Sequence, residues 1–171
     1  HDVFHTHNAL LGLEDGLYLE AIAINPDAPQ PDRARWFDLD RFFGAPRLTN
    51  WICRSDDLEQ TCATLPASFG APVALQRGDL HWRMAVPDDG VLPFDNIAPA
   101  LMQWQTDMHP ATRLAPSGVR LRRLTLSHPE GQALAALLAA EVQDDRVAVE
   151  VGSPALCAEF DTPHGPRKLT G

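Results

Sequence analysis

The sequence predicts an α+β fold assembled from repeated strand-helix-strand-strand units. Residues 48–54 and 119–126 are β-suited runs, each followed by a capping pattern and a helix-spaced apolar stretch. Residues 8–13 with 17–24, and residues 146–151 with 155–161, each read as two strands around a short turn. Laying one cap over the other sets Asp56 on Ser127 and Glu59 on Glu130, which makes the pattern an internal repeat.

The elements follow in order along one expected domain, 1–171. Residues 1–24 are the remainder of a first module: a hairpin turning at Glu14-Asp15-Gly16, whose opening strand and helix are expected to be absent from this chain. When Tyr18-Leu19-Glu20 is laid on Cys157-Ala158-Glu159, Glu20 falls opposite Glu159. Residues 25–46 form a proline-rich connection carrying Trp36, Phe37, Phe42 and Phe43. Aromatics of that size dock, so this segment is expected to cover an edge or a cavity mouth. The second module, 47–113, has a D-x-x-E helix start at Asp56 and Glu59 and one helical face of Leu58, Cys62 and Leu65. Strands at 80–86 and 100–106 complete it. The last module, 119–165, places an S-x-x-E box at Ser127 and Glu130, with Leu134, Leu137 and Leu138 at helical spacing and Pro129 tolerated in the first turn.

Composition narrows the function. The chain of 171 residues has a net charge of −9, and its basic residues are dispersed apart from Arg120, Arg122 and Arg123. Such a surface repels a phosphate backbone, so nucleic acid is not an expected partner. The longest apolar run, 133–140, is far shorter than the roughly 20 residues of a spanning helix, so no membrane is expected either. Cys53, Cys62 and Cys157 are odd in number, widely spaced and set among apolar residues. They read as buried, reduced thiols of a cytoplasmic protein with no secretory leader.

Several residues carry candidate chemistry. Glu20 shares a strand face with Tyr18 and Ile22; buried there, its carboxylate has to be paired, metal-bound or protonated, and otherwise it is an edge residue facing water. His5 and His7 lie two apart, on one face if the segment is extended, and could ligate a metal or act as acid and base. Arg77 precedes Gly78 and could clamp a carboxylate, or be a plain loop arginine. Trp82 alternates with His81 and Arg83, and Trp104 with Gln103 and Gln105, so each indole is a candidate apolar wall. His109 follows on a connection next to Pro110. Together these predict a site with Glu20 and His7 as catalytic candidates. Asn8, Tyr18, Arg77, Trp82, Trp104 and His109 are its candidate ligand-binding residues.

Particular runs resemble a known family. Phe4-His5-Thr6-His7-Asn8-Ala9-Leu10-Leu11 followed by Asp15-Gly16-Leu17-Tyr18-Leu19-Glu20-Ala21-Ile22-Ala23 is similar to the F-G-T-x-N-A-L-L and G-x-Y-L-E-(L/I)-I-A opening of glyoxalase-like domain proteins. These belong to the vicinal oxygen chelate superfamily, with glyoxalases, bleomycin resistance proteins and dioxygenases. Arg77-Gly78, Trp82, Leu92-Pro93-Phe94, Trp104 and His109-Pro110 resemble the family's middle segment. Residues 119–165, ending Asp161-Thr162-Pro163-His164-Gly165, resemble its last module.

The resemblance implies curled mixed sheets around a cup that holds the active site. In metal-using relatives a His on a module's first strand and a Glu or Gln on its last hold a divalent ion, to which a substrate's neighbouring oxygens chelate. Glu20 matches the carboxylate and is the one metal-ligand candidate, while Gln103 or Gln105 could fill the analogous place in the second module. Asn50, Trp51 and Cys53, and Leu121, Arg122 and Leu124, stand where histidines would be, so a divalent metal is a cofactor without a full ligand set. Two functions follow from the resemblance: an enzyme acting on a small molecule as lyase, isomerase or dioxygenase, or a non-catalytic protein sequestering a drug-like or aromatic ligand. A homodimer is the expected assembly, because exposed sheet edges need cover.

Overall fold

A computed structural model describes residues 1–106 and 109–171. The N-terminal alternation folds into β1 (Thr6–Gly12) and β2 (Tyr18–Ile24), antiparallel, with Leu10 opposite Glu20 and Gly12 opposite Tyr18. Asp15 and Gly16 turn the chain at φ 64° and 73°, left-handed backbone that costs aspartate and glycine least. Period-two alternation then puts Thr6, Asn8 and Leu10 with Tyr18, Glu20 and Ile22 on the covered face. His7, Ala9, Leu11, Ala21 and Ala23 are exposed on the other.

The middle of the chain gives β3 (Ile52–Arg54), α1 (Leu58–Thr64), β4 (Ala71–Arg77), β5 (Leu80–Val86) and β6 (Ala100–Trp104). Its sheet runs β3-β6-β5-β4, with β3 parallel to β6 and the rest antiparallel. The helix starts one residue later than the D-x-x-E pattern suggests. Asp57, still extended, is the residue whose side chain accepts the Gln60 amide, at 3.0 Å. β4 has no legible signal in the sequence, because this edge strand buries only Leu75 and contains Pro72, which leaves no clean alternation.

The last part gives β7 (Arg120–His128), α2 (Gly131–Leu138), β8 (Val147–Val151), β9 (Ala155–Asp161) and β10 (Arg167–Thr170), in sheet order β10-β9-β7-β8. Ser127 is no cap. It lies inside β7, and the ring Nδ1 of His128 accepts the Glu130 amide instead, at 3.0 Å. With Nδ1 an acceptor, Nε2 carries the proton and donates to Asp95 at 3.2 Å, tying the last sheet to the turn before β6.

The two units, each a strand, a helix and three further strands, therefore share element order but not pairing. In the middle sheet the parallel partner of the opening strand is the final strand, β6. In the last sheet it is the strand directly after the helix, β8.

One face of the middle sheet, with Ala85 and Leu101, packs under Leu58 of α1 into a core continuous with Leu126, Leu134, Leu156 and Phe160 of the last part. The opposite face, with Trp82, Met84 and Met102, is covered by the 25–46 strap through Trp36, Phe37 and Leu39, together with Phe4. Docking of the strap's aromatics is thus realised, except that Phe43 stays 82% exposed. Buried Arg35 anchors the strap by donating Nε–H to the Phe4 carbonyl at 3.1 Å and pairing with Asp40 at 2.5 Å. Cys53, Cys62 and Cys157 are free thiols. Among the described residues no helix is long and apolar enough to cross a membrane.

Candidate functional site

Pairing of β1 with β2 brings Asn8 diagonally across from Glu20, and the end of β4 brings Arg77 to the same place. The Asn8 amide works in both directions: its Nδ2–H donates to Glu20 Oε1 at 2.5 Å while its Oδ1 accepts from Arg77 Nη1. A cation, an amide and a carboxylate thus form one chain, which also fixes the orientation of the amide. Burial raises the Glu20 pKa above the ordinary carboxylate range, against the opposing pull of the Asn8 bond and the Arg77 charge. Tyr18, on the same strand face, is held in its neutral phenol form by burial and by the neighbouring Glu20 charge, with Arg77 acting the other way.

An aromatic chain extends from this cluster. Trp82 and Trp104 have ring centroids 5.4 Å apart, Trp104 meets His109 edge-on at 5.6 Å, and His109 lies 5.8 Å from Tyr18. His109 Nδ1 accepts the Ala111 amide at 3.3 Å, which leaves the proton on Nε2. Burial, and then the Arg54 charge, lower its pKa, so the ring is a neutral N–H donor around neutral pH.

Two cavities adjoin these residues. The larger is a cleft of about 460 Å³ between β2, the β3–β6 side of the middle sheet and the last sheet. Tyr18, Glu20, Trp104 and His109 line one side of it; Leu121, Leu124, Val147 and Phe160 line the other. Its size falls within the range of small-molecule sites, about 300–1,000 Å³. The smaller is an inner pocket of about 20 Å³ walled by Asn8, Glu20, Arg77, Trp36, Trp82 and Trp104 among others. Tyr18, Glu20 and Trp104 belong to both walls.

Of the residues singled out from sequence, Glu20, Asn8, Tyr18, Arg77, Trp82, Trp104 and His109 come together here. His7 does not. It neighbours Asn8 on β1 and so points to the opposite, exposed face. His5 precedes the strand at φ 48°, with its Nδ1 2.5 Å from the Pro29 carbonyl oxygen, so it does not pair with His7 on one strand face. The far wall of the cleft escaped sequence reasoning because it forms where two sheets approach, which no local pattern encodes.

The family described as glyoxalase-like domain matches residues 1–142, from the hairpin to just beyond α2. The chain belongs to the glyoxalase-like domain family. No curated protein and no solved structure matches it. In this glyoxalase-like protein the match stops before β8, so Val147, Phe160 and Leu169 of the cleft wall come from outside the matched span.

The glyoxalase-like fold brings with it the question of a divalent metal, and the donors at Glu20 do not fit one. Oε1 of Glu20 is engaged by Asn8, and the nearest strong charge is the guanidinium of Arg77, which repels a cation. The other polar neighbours are a neutral phenol and His109. Among the described residues no three His, Cys, Asp or Glu side chains are grouped to hold an ion. Gln103 is committed elsewhere: its Nε2–H donates to the Asp56 carbonyl at 2.7 Å and its Oε1 accepts the Leu58 amide at 3.4 Å, at the start of α1. What this cluster can do chemically is accept or donate hydrogen bonds and move a proton at Glu20.

Proposed function

We propose that this glyoxalase-like protein binds a small, largely apolar molecule in the cleft, with the polar end of that molecule against Glu20, Tyr18 and His109. The observation that carries the reading is the cleft itself, a cavity with many aliphatic and aromatic side chains in which Glu20, Tyr18 and His109 are neighbours, while Arg47, Arg54, Glu141 and Asp144 also reach its lining. Neutral His109 and Tyr18 supply N–H and O–H donors, and Glu20 accepts a hydrogen bond when ionised and donates one when protonated. Catalysis is a second form of the same reading, favoured by one observation. Burial holds the Glu20 proton more tightly than water would, which suits a group that exchanges a proton with a bound ligand.

Calorimetric titration with 2-naphthol, an apolar body bearing one hydroxyl, tests the proposal. Wild type is expected to show one saturable site. Leu121→Trp, which fills the cleft, abolishes it, and Glu20→Gln weakens binding with thermal stability unchanged. Equal affinity in wild type and Leu121→Trp would place the probe outside the cleft and overturn the reading.

A further inference from the structure

Of the four tryptophans in the chain, three differ in what their indole N–H groups do. Trp51, on the wall of the outer cleft, donates its Nε1–H to the Ile97 carbonyl at 2.7 Å, the usual fate of a buried indole. Trp36 and Trp82 are more deeply buried, 3% and 4% exposed, yet the Nε1–H of each has no acceptor among the described residues. Both rings form the wall of the inner pocket. Buried donors without partners are rare in folded proteins, and two around one cavity call for an acceptor inside it.

The rest of the wall decides what kind of acceptor. Ile52, Leu80, Met84 and Met102 bring no strong hydrogen-bonding group, Asn8 is committed in both directions, and Arg77 is a donor. Asn8 already occupies Oε1 of Glu20, and His1, which meets the Trp36 and Trp82 rings edge-on at 4.9 and 5.8 Å, has its Nδ1 engaged by Thr6 Oγ1 at 3.0 Å; the Tyr18 hydroxyl completes the polar lining. An oxygen that only accepts meets two waiting N–H groups and the positive potential of Arg77. The volume of about 20 Å³ admits one such atom, on the scale of a single water-sized probe.

We infer that the inner pocket is the subsite for one accepting oxygen, a carbonyl or carboxylate oxygen at the polar end of the ligand, held by the indole N–H groups of Trp36 and Trp82. The inference rests on the reading of the outer cleft as the binding site for the ligand's apolar body. Because Tyr18, Glu20 and Trp104 line both cavities, the subsite adjoins the cleft that seats the ligand's apolar body. Trp36 and Trp82 thereby become specificity-determining residues, although neither lines the cleft.

Acetophenone, benzoate and α-methylstyrene form the test set, since the third replaces the carbonyl oxygen of the first by a methylene of similar shape. In calorimetric titrations, acetophenone or benzoate is expected to bind about tenfold tighter than α-methylstyrene, and which of the two is tighter tells a carbonyl subsite from a carboxylate one. Trp36→Phe and Trp82→Phe are each expected to erase most of that preference while leaving the affinity for α-methylstyrene unchanged. Binding of all three probes with equal affinity overturns the subsite and leaves the cleft standing; no binding of any of them overturns both. If a Phe variant fails to fold, the wild-type indole N–H resonances still decide. Those of Trp36 and Trp82 should move with an oxygen-bearing probe and not with α-methylstyrene, and indole signals that respond identically to all three refute the inference.

Discussion

Removing the Asn8 amide is the sharpest perturbation of the charge chain, because one side chain serves both Arg77 and Glu20. Asn8→Ala deletes two hydrogen bonds to charged partners, each worth about 1.5–3 kcal/mol. Water can enter this partly buried place and recover some of that, so the net loss at neutral pH should be about 2–4 kcal/mol, a large share of a typical stability of about 5–15 kcal/mol. The pH dependence carries a sign. Burial raises the folded-state pKa of Glu20 above its unfolded value, so the folded protein is favoured while Glu20 is protonated and loses stability as pH rises through that window. The Asn8 bond opposes the shift, so without it the folded pKa rises further and the loss on ionisation grows. Asn8→Ala should therefore cost more at about pH 7.5 than at about pH 4, where Glu20 is largely protonated in both states. Urea denaturation followed by tryptophan fluorescence at the two pH values measures both terms. A loss below about 0.5 kcal/mol at both, or a larger loss in acid, would refute the assigned chain.

Gly90 sits at φ 74°, and a Cβ there would lie 1.9 Å from the Arg35 carbonyl oxygen, so Gly90→Ala should push the strap away from Trp36 and cost about 2–4 kcal/mol in denaturant melts. Gly16, at φ 73° with nothing within 4 Å of its Cβ, is the control; Gly16→Ala should cost only about 1 kcal/mol, and the reverse ranking would contradict the packing. Burial, aided by the Asp144 and Glu141 charges, pushes the Cys53 thiol up to about 12. Native Cys53 should therefore react with iodoacetamide at neutral pH about a hundredfold more slowly than a free cysteine, and rapid stoichiometric labelling would show its environment to be wrong. The separate β1–β2 sheet has strand edges to cover, so light scattering should return a dimer mass; a monomer at all micromolar concentrations would contradict that expectation.

Both hairpins were legible in the sequence because their turns carry Gly16 and Gly152 between alternating runs, and the helices because their apolar faces repeat at helical spacing. Pairing was not. Nothing local to residues 119–161 distinguishes a strand laid directly beside β7 from one sent to the far edge, and the cap match that suggested identical units dissolves once Ser127 is seen inside a strand. β10, four residues long with Leu169 alone partly buried, offers no alternation to read. Within the site, Glu20, Tyr18, Trp82 and Trp104 were recognisable because strand periodicity puts polar and aromatic groups on an inward face. The same periodicity separates His7 from Asn8 and puts the two on opposite faces of β1. The docking of Trp36 was foreseeable from the aromatic density of the strap. Its unpaired N–H was not, since the absence of an acceptor is a property of the packed pocket.

On the proposed reading, this glyoxalase-like protein holds a small molecule in the cleft between the two sheets. A crystal structure grown with acetophenone tests it most directly. The phenyl ring is expected between Trp104 and the Leu121 and Leu124 side of the cleft, with the carbonyl oxygen directed past Glu20 toward the inner pocket. Acetophenone bound only elsewhere on the molecule, with the cleft closed by its own side chains, would contradict it.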